Sequence, residues 1–249
     1  MSGHSKWHSI KHKKGAADAK RGKIFTKHAK LIAIAASGGG DPDMNPSLRS
    51  AITNAKADNV PNSNIDKAVK KGSGQDKNAA VFVEALYEGY GPEGTALLIE
   101  VITDNKNRSV TGVKIALTKN GGNMAEAGSV AWMFDRKGII LTKLGDKDAD
   151  EAELEIIDAG AQDLELDEGL FEVTTDMTDL MKVRDSLEQS GFEIERAELI
   201  YIPKNTVEVS DADKAAKILK LVEALEDDDD VSKVHSNFDI PAEILESML

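Results

Sequence analysis

The densest group of side chains that could do chemistry lies at the start of the chain. Residues 1–30 contain nine Lys and Arg residues, four of the five histidines and a single acid, Asp18. Cations at this density suit a phosphate backbone, because each neutralised phosphate releases a counterion. The alternative is a solvated helix face. The cations that we expect to contact nucleic acid are Lys6, Lys11, His12, Lys13, Lys14, Lys20, Arg21, Lys23 and Lys27.

A second, smaller cationic group follows a predicted strand at residues 95–103. Lys106 and Arg108 lie in the segment TDNKNRS, where a strand-to-helix turn would add backbone N–H groups to their charge and could cradle a phosphate. The same segment fits an Asx-type helix cap with a surface salt bridge. Both interpretations stay open on the sequence, and we count Lys106 and Arg108 among the candidate nucleic-acid contacts.

The patterns that signal an enzyme are missing from the sequence. The chain has no cysteine and no G-x-S-x-G, H-E-x-x-H or Walker motif. His4, His8 and His12 recur at helical spacing, but flanking lysines would repel a metal ion, so they indicate a cationic surface. The glycines of GYGPEG precede a strand-like segment, which indicates a hairpin connection instead of a dinucleotide fingerprint. We expect no catalytic residue, cofactor, metal or small-molecule substrate.

The charge is divided unevenly along the chain. The formal net charge of the 249 residues is −13. Residues 1–77 hold 15 basic and 6 acidic residues, a net +9, whereas residues 78–249 hold 16 and 38, a net −22. Such asymmetry indicates a polyanion-binding segment that the overall charge conceals. The acidic run Asp227–Asp230 is predicted to be solvated. No apolar run is long enough to cross a bilayer, and we expect a cytoplasmic protein.

Hydrophobic periodicity predicts an N-terminal helical domain at residues 1–77. One helix runs from about Lys20 to Ala35, a second is capped by Asn45 before Pro46, and a third is capped by Asn62 or Ser63. The basic arm at the start of this domain carries Trp7, for which packing against the helices is the favoured role.

The remainder of the chain alternates between strand and helix patterns. Strands are predicted near residues 81–87, 95–103 and 129–134, with a helix between the last two capped by Asn107 or Ser109. From Gly138 the order β-α-β-β-α-β indicates a ferredoxin-like unit. We predict a middle α+β domain at 78–135 plus 204–249, with the ferredoxin-like α+β domain at 136–203 inserted into it.

Six segments carry a resemblance to a known family. They are GHSKWHSIKHKKGAADAKRGKIFTK, GGGDPDMNPSLRSAI, VPNSNIDKAVKKGSG, YEGYGPEG, TDNKNRSV and GGNMAEAGSVAWMF. In these segments the chain resembles the YebC family of bacterial probable transcriptional regulatory proteins, which has mitochondrial relatives.

The resemblance implies an N-terminal helical bundle and two α+β domains, the third inserted into the second, in a non-enzymatic regulator. Some members are described as DNA-binding transcriptional regulators, and others, including mitochondrial ones, as ribosome-associated factors that assist translation. Two hypotheses follow. The basic domain binds DNA while the acidic domains contact a partner or dimerise, or it binds ribosomal RNA while the acidic domains face ribosomal proteins. We expect DNA, and the oligomeric state stays open.

Overall fold

The structure is a computed structural model that describes residues 18–76 and 80–247. The described chain divides into two compact units, the first from residues 1–34, 78–135 and 202–249 and the second from residues 35–77 and 136–201. Helices and strands follow one another as α1 (Asp18–Ala36), α2 (Pro46–Ala57), α3 (Asn62–Gly72), β1 (Val83–Tyr90), β2 (Ala96–Thr103), α4 (Lys106–Lys119), β3 (Asn123–Met124), β4 (Phe134–Lys143), α5 (Ala149–Asp158), β5 (Asp163–Asp167), β6 (Leu170–Asp176), α6 (Leu180–Gln189), β7 (Glu193–Pro203), β8 (Val207–Glu208), α7 (Ala212–Glu226), β9 (Val231–Ser236), β10 (Phe238–Asp239) and α8 (Ala242–Ser247).

The first unit is built on a sheet with the strand order β3-β1-β2-β9. The pairs β1–β2, β1–β3 and β2–β9 are all antiparallel. Seven of the eight residues of β2 are buried, as expected for a central strand covered by helices. Helices α4 and α7 bury an apolar stripe in the same core as the sheet, which includes Leu97, Ile99, Val113, Leu117, Ile218 and Val222.

The second unit contains a sheet with the order β5-β6-β4-β7. Helices α5 and α6 pack into its core, in which Ile140, Ile156, Phe171, Val173 and Leu187 are buried. The chain order of these elements is the β-α-β-β-α-β order predicted from the sequence. The fold is therefore α+β: an N-terminal helical region precedes two α+β domains, and the ferredoxin-like one is inserted into the other.

Helices α2 and α3 belong to the same compact unit as the ferredoxin-like sheet. The side-chain amide of Asn54 donates to the carbonyl of Ala197 and accepts from its N–H, both at 3.1 Å. Arg196 pairs with Asp58 at 2.8 Å. The predicted boundaries at residues 77, 135 and 203 stay predictions.

Two helix caps in the N-terminal region can be compared with the sequence prediction. The side chain of Asn45 accepts from the N–H of Leu48 at 3.1 Å, and Pro46 occupies the first helical position, as predicted. The predicted cap of α3 is wrong. That helix begins at Asn62 after Pro61, and no side chain caps it.

The predicted strand at residues 129–134 is also wrong. A 3-10 turn occupies Ala131–Met133, and the strand begins only at Phe134. The cause is the buried carboxylate of Glu88 in β1, which accepts from the N–H groups of Gly128, Val130 and Ala131 at 2.6, 2.5 and 2.9 Å. These N–H groups therefore do not donate hydrogen bonds to a neighbouring strand. Trp132 is left 66% exposed at the turn.

Within the described residues, no helix is long and apolar enough to cross a membrane.

Candidate nucleic-acid interface

The structure describes part of the predicted nucleic-acid site. Lys6, Lys11, His12, Lys13 and Lys14 lie outside the described residues, as does Trp7. Lys20 lies in the first turn of α1, where the backbone alone is described. The side chains of Arg21, Lys23, Lys27, Lys106 and Arg108 can be placed.

Three lysines of α1 contact the carboxyl end of α7 and the acidic run that follows it. The ammonium group of Lys23 donates to the carbonyl and to the carboxylate of Asp227, at 3.0 and 3.1 Å. The ammonium group of Lys27 donates to the carbonyl of Glu226 at 2.5 Å, and that of Lys30 to the carbonyl of Asp229 at 2.6 Å. The last carbonyls of a helix have no partner within the helix and carry partial negative charge, so Lys23 and Lys27 satisfy and stabilise that end.

The carboxylate of Asp230 is the centre of a buried polar cluster. Asp230 is 5% exposed, so the prediction of a solvated acidic run is wrong for this residue. Its oxygens accept from the ammonium group of Lys30 at 2.7 Å and from the hydroxyls of Ser109 and Thr103 at 2.7 and 3.1 Å. Asp227, whose side chain is 69% exposed, is solvated as predicted.

Arg108 completes the cluster from the first turn of α4. Its Nε donates to Asp230 at 3.1 Å, and its Nη2 donates to the two carboxylate oxygens at 3.0 and 2.8 Å. Burial alone would raise the pKa of Asp230, but the bonds from Lys30, Ser109 and Arg108 outweigh it and hold that pKa well below its usual range. The cluster therefore keeps a negative charge paired with two positive charges inside the first unit.

The turn before α4 resembles the Asx-type alternative more closely than a phosphate cradle. The side chain of Asn105 accepts from the N–H of Arg108 at 3.1 Å and caps the helix, so the predicted caps at Asn107 and Ser109 are wrong. Arg108 also pairs with Asp104 at 2.8 Å, and its bonds to Asp230 and Asp104 raise the pKa of the guanidinium group. Its side chain nevertheless stays 56% exposed. The ammonium group of Lys106 has no partner among the described residues.

Arg108 is in the predicted site, but Lys30 and Asp230, the two other charged members of this cluster, are absent from it. Lys30 continues the helical spacing of Lys23 and Lys27, so the spacing could have added it to that site. Asp230 gives no such signal, because its partner Lys30 is 200 residues away in the chain.

The single histidine of the acidic part, His235, is buried with its Nε2 atom 2.6 Å from the Glu100 carboxylate. The part of the chain that the structure describes holds no group of three or more His, Asp and Glu side chains arranged to bind a metal.

Family models match most of the chain. Residues 5–75 match the model described as the TACO1/YebC protein N-terminal domain, and residues 82–238 match the model described as the TACO1/YebC second and third domain. The chain belongs to the TACO1/YebC family. This confirms the resemblance that the sequence motifs indicated.

Several proteins of similar length are related to this TACO1/YebC chain. A probable transcriptional regulatory protein of Fusobacterium nucleatum subsp. nucleatum is 49% identical over 249 residues, which is 100% of both chains. A protein of the same description from Geotalea uraniireducens is 51% identical over 250 residues, also 100% of both. The crystal structure of a conserved hypothetical protein from Aquifex aeolicus superposes with a TM-score of 0.83 at 41% identity, covering 92% of this chain and 94% of that one.

Proposed function

We propose that this TACO1/YebC family member is a non-enzymatic regulator that binds DNA through its basic N-terminal domain and acts in transcription. The observation that carries the proposal is the division of charge, +9 in residues 1–77 against −22 in the remainder. A concentrated cationic segment supplies the sequence-independent part of nucleic-acid affinity. The regulatory role is supported by the relatives that are named probable transcriptional regulatory proteins.

The contacts of α1 suggest how its cations divide their roles. Lys23, Lys27 and Lys30 donate to the end of α7 and the acidic run that follows it, so they hold the helix in place in the first unit. The cations that precede them in the chain remain the proposed DNA contacts: Lys6, Lys11, His12, Lys13, Lys14, Lys20 and the exposed Arg21. On this view α1 is fixed at one end, and the basic segment before it meets the phosphates.

The proposal is tested by removing four of these cations together. We expect the variant with Lys11, Lys13, Lys14 and Lys20 changed to Ala to bind duplex DNA more weakly at low salt. Its plot of log affinity against log salt should also be flatter, by about 0.9 for each phosphate that the variant no longer neutralises. Fluorescence anisotropy over a KCl titration measures both quantities.

The matched control also removes four lysines. Lys182, Lys204, Lys217 and Lys220 are exposed and lie outside residues 1–77, and changing them to Ala should alter the affinity far less. Equal affinity and equal salt slope for the wild type and the variant of the basic segment would reject that segment as the DNA site.

Ribosomal RNA is the second candidate target, and the acidity of residues 78–249 favours it. A net charge of −22 over residues 78–249 repels a long duplex but would be attracted to basic ribosomal proteins. Ultraviolet crosslinking in cells, followed by sequencing of the bound nucleic acid, separates the two. Promoter DNA supports the transcriptional role, whereas ribosomal RNA together with co-sedimentation on ribosome gradients would replace it.

A further inference from the structure

Helix α4 differs in charge from the acidic part of the chain that surrounds it. Its 14 residues, KNRSVTGVKIALTK, include four basic residues and no acid, although residues 78–249 as a whole have a net charge of −22. A helix without a carboxylate in such a sequence needs a physical reason, because random placement of 38 acids over this part of the chain would put about three in it.

Two of these cations, Lys114 and Lys119, lie on the side of α4 that faces away from the core. Ser109, Val113 and Leu117 are buried on the inner side. Lys114 and Lys119 are exposed, and Ile115 between them is 48% exposed. At a rise of 1.5 Å per residue, Lys114 and Lys119 lie about 7.5 Å apart along the helix axis. The two lysines are therefore far enough apart to contact different phosphates of one backbone.

Two short polar side chains lie beside the lysines on this side of the helix. Thr111 and Thr118 are exposed, and their hydroxyls donate to the carbonyls of Asn107 and Lys114, four residues earlier, both at 2.8 Å. Short side chains that lie against the helix backbone leave room for a phosphate strand to approach the longer lysines.

Asp104, Asp228 and Asp230 lie beside the first two turns of α4. Asp230 and Asp104 bind Arg108 in the first turn. Asp228 approaches Gly112 so closely that a Cβ there would lie 2.5 Å from its Oδ2 atom. The ammonium groups of Lys114 and Lys119 have no hydrogen bond or ion pair with any described residue. They remain available to an anion that comes from outside the molecule.

We propose that the outer face of α4, formed by Thr111, Lys114, Thr118 and Lys119, is a second surface that contacts the phosphate backbone of the bound nucleic acid. The inference rests on the proposed function, because it assigns the face to the same polyanion that the N-terminal segment binds. A phosphate backbone fits better than an acidic protein here, since the face offers two spaced point charges beside short polar side chains. A second copy of this acidic chain is the competing occupant, and the experiment distinguishes it.

The test uses the full-length chain and a fluorescein-labelled duplex of random sequence, about 30 base pairs long. Lys114→Glu and Lys119→Glu are compared singly with Lys182→Glu, which changes an exposed lysine of α6 in the second unit. One phosphate fewer neutralised at about 0.15 M salt corresponds to about a fivefold weaker affinity and a salt slope lower by about 0.9. We expect this weakening for both α4 variants, none for Lys182→Glu, and near wild-type binding when either α4 lysine is changed to Arg.

The possible failures are separable. If the variant of the N-terminal segment binds weakly while both α4 variants bind like Lys182→Glu, the inference about α4 is overturned and the proposed function stands. If neither set of variants binds more weakly, both proposals fail. If the α4 variants no longer self-associate in light scattering but keep their affinity for the duplex, the face contacts another copy of the chain, which also overturns the inference. Urea unfolding of each variant confirms that the fold is intact.

Discussion

At the scale of the residue, Asp230 shows how a buried charge is made tolerable. Its carboxylate accepts from Lys30, Arg108, Ser109 and Thr103. A buried carboxylate without partners would be strongly destabilising, whereas one that accepts from cations and hydroxyls keeps its charge. Lys30 is the partner that depends on it most, since its side chain is only 12% exposed.

We expect Asp230→Asn to lower the free energy of unfolding by about 3 kcal/mol, because the buried ammonium group of Lys30 is then left without its counter-charge. Asp227→Asn is the matched control. That residue also pairs with a lysine of α1, but its side chain is 69% exposed and Lys23 is 42% exposed, so the change should cost less than about 1 kcal/mol. Urea unfolding measures both. Equal destabilisation of the two variants would contradict a special role for the buried carboxylate.

The difference in unfolding free energy between the wild type and Asp230→Asn should also depend on pH. Because the folded-state pKa of Asp230 lies well below its usual range, its contribution to stability is complete above the unfolded pKa of about 3.9 and is lost as the pH falls toward the folded pKa. The gap in unfolding free energy between the wild type and Asp230→Asn should therefore be constant from about pH 7 to 5 and should narrow by roughly 1 kcal/mol between about pH 4 and 3. A gap that widened on acidification would reject this assignment.

At the scale of the element, Glu88 organises the loop that precedes β4. Burial by itself would raise the pKa of this carboxyl, but the N–H groups of Gly128, Val130 and Ala131 lower it below its usual value. One side chain of β1 thus determines the path of the loop. Trp132 is fixed in the same loop by a bond from its Nε1 atom to the carbonyl of Ser129 at 3.0 Å.

We expect Glu88→Gln to lower the free energy of unfolding by about 2 kcal/mol, because a neutral amide has one acceptor oxygen for three donors. Glu84→Gln, an exposed position on the same strand, should change it by less than about 0.5 kcal/mol. Both variants are made with Trp7→Phe, so that Trp132 is the remaining tryptophan and its fluorescence reports on the loop. An unchanged unfolding curve and emission spectrum for Glu88→Gln would show that the loop does not depend on this carboxylate.

Local patterns predict most of the elements, and the errors have more than one cause. The cap at Asn45 and the ferredoxin-like order of strands and helices can be inferred because hydrophobic period and turn residues are local signals. The segment 129–134 has the composition of a strand, but a carboxylate about 40 residues earlier determines its backbone. The sequence does not single out Asn105 as a cap, because three residues that could cap α4 lie within five positions and spacing alone does not choose among them.

At the scale of the whole molecule, the charge pattern locates the basic segment but not its internal partners. The sequence groups Lys23 and Lys27 with the other cations, whereas the structure places both against the end of α7, about 200 residues later. Contacts at this separation arise from tertiary packing, which a single sequence does not reveal. The sequence therefore predicts which region of the chain forms the candidate site. It does not predict which lysines of that region pack against the protein and which are left to bind nucleic acid.

The charge distribution also predicts that salt has opposite effects on folding and on binding. A chain with a net charge of −13 repels itself, and the Debye length falls from about 10 Å at 0.1 M to about 3 Å at 1 M, so added KCl should raise the free energy of unfolding modestly. Exposed pairs such as Lys23–Asp227 weaken in salt, but the buried Lys30–Asp230 pair is screened much less. Over the same titration the affinity for duplex DNA should fall steeply, because released counterions drive that association. Urea unfolding and anisotropy in parallel, with chloride as the common anion, measure the two trends. If the free energy of unfolding instead fell with added KCl, as the affinity does, the attraction within exposed ion pairs would outweigh the repulsion among the 44 acidic residues. Residues 78–249 would then need no basic partner to relieve that repulsion.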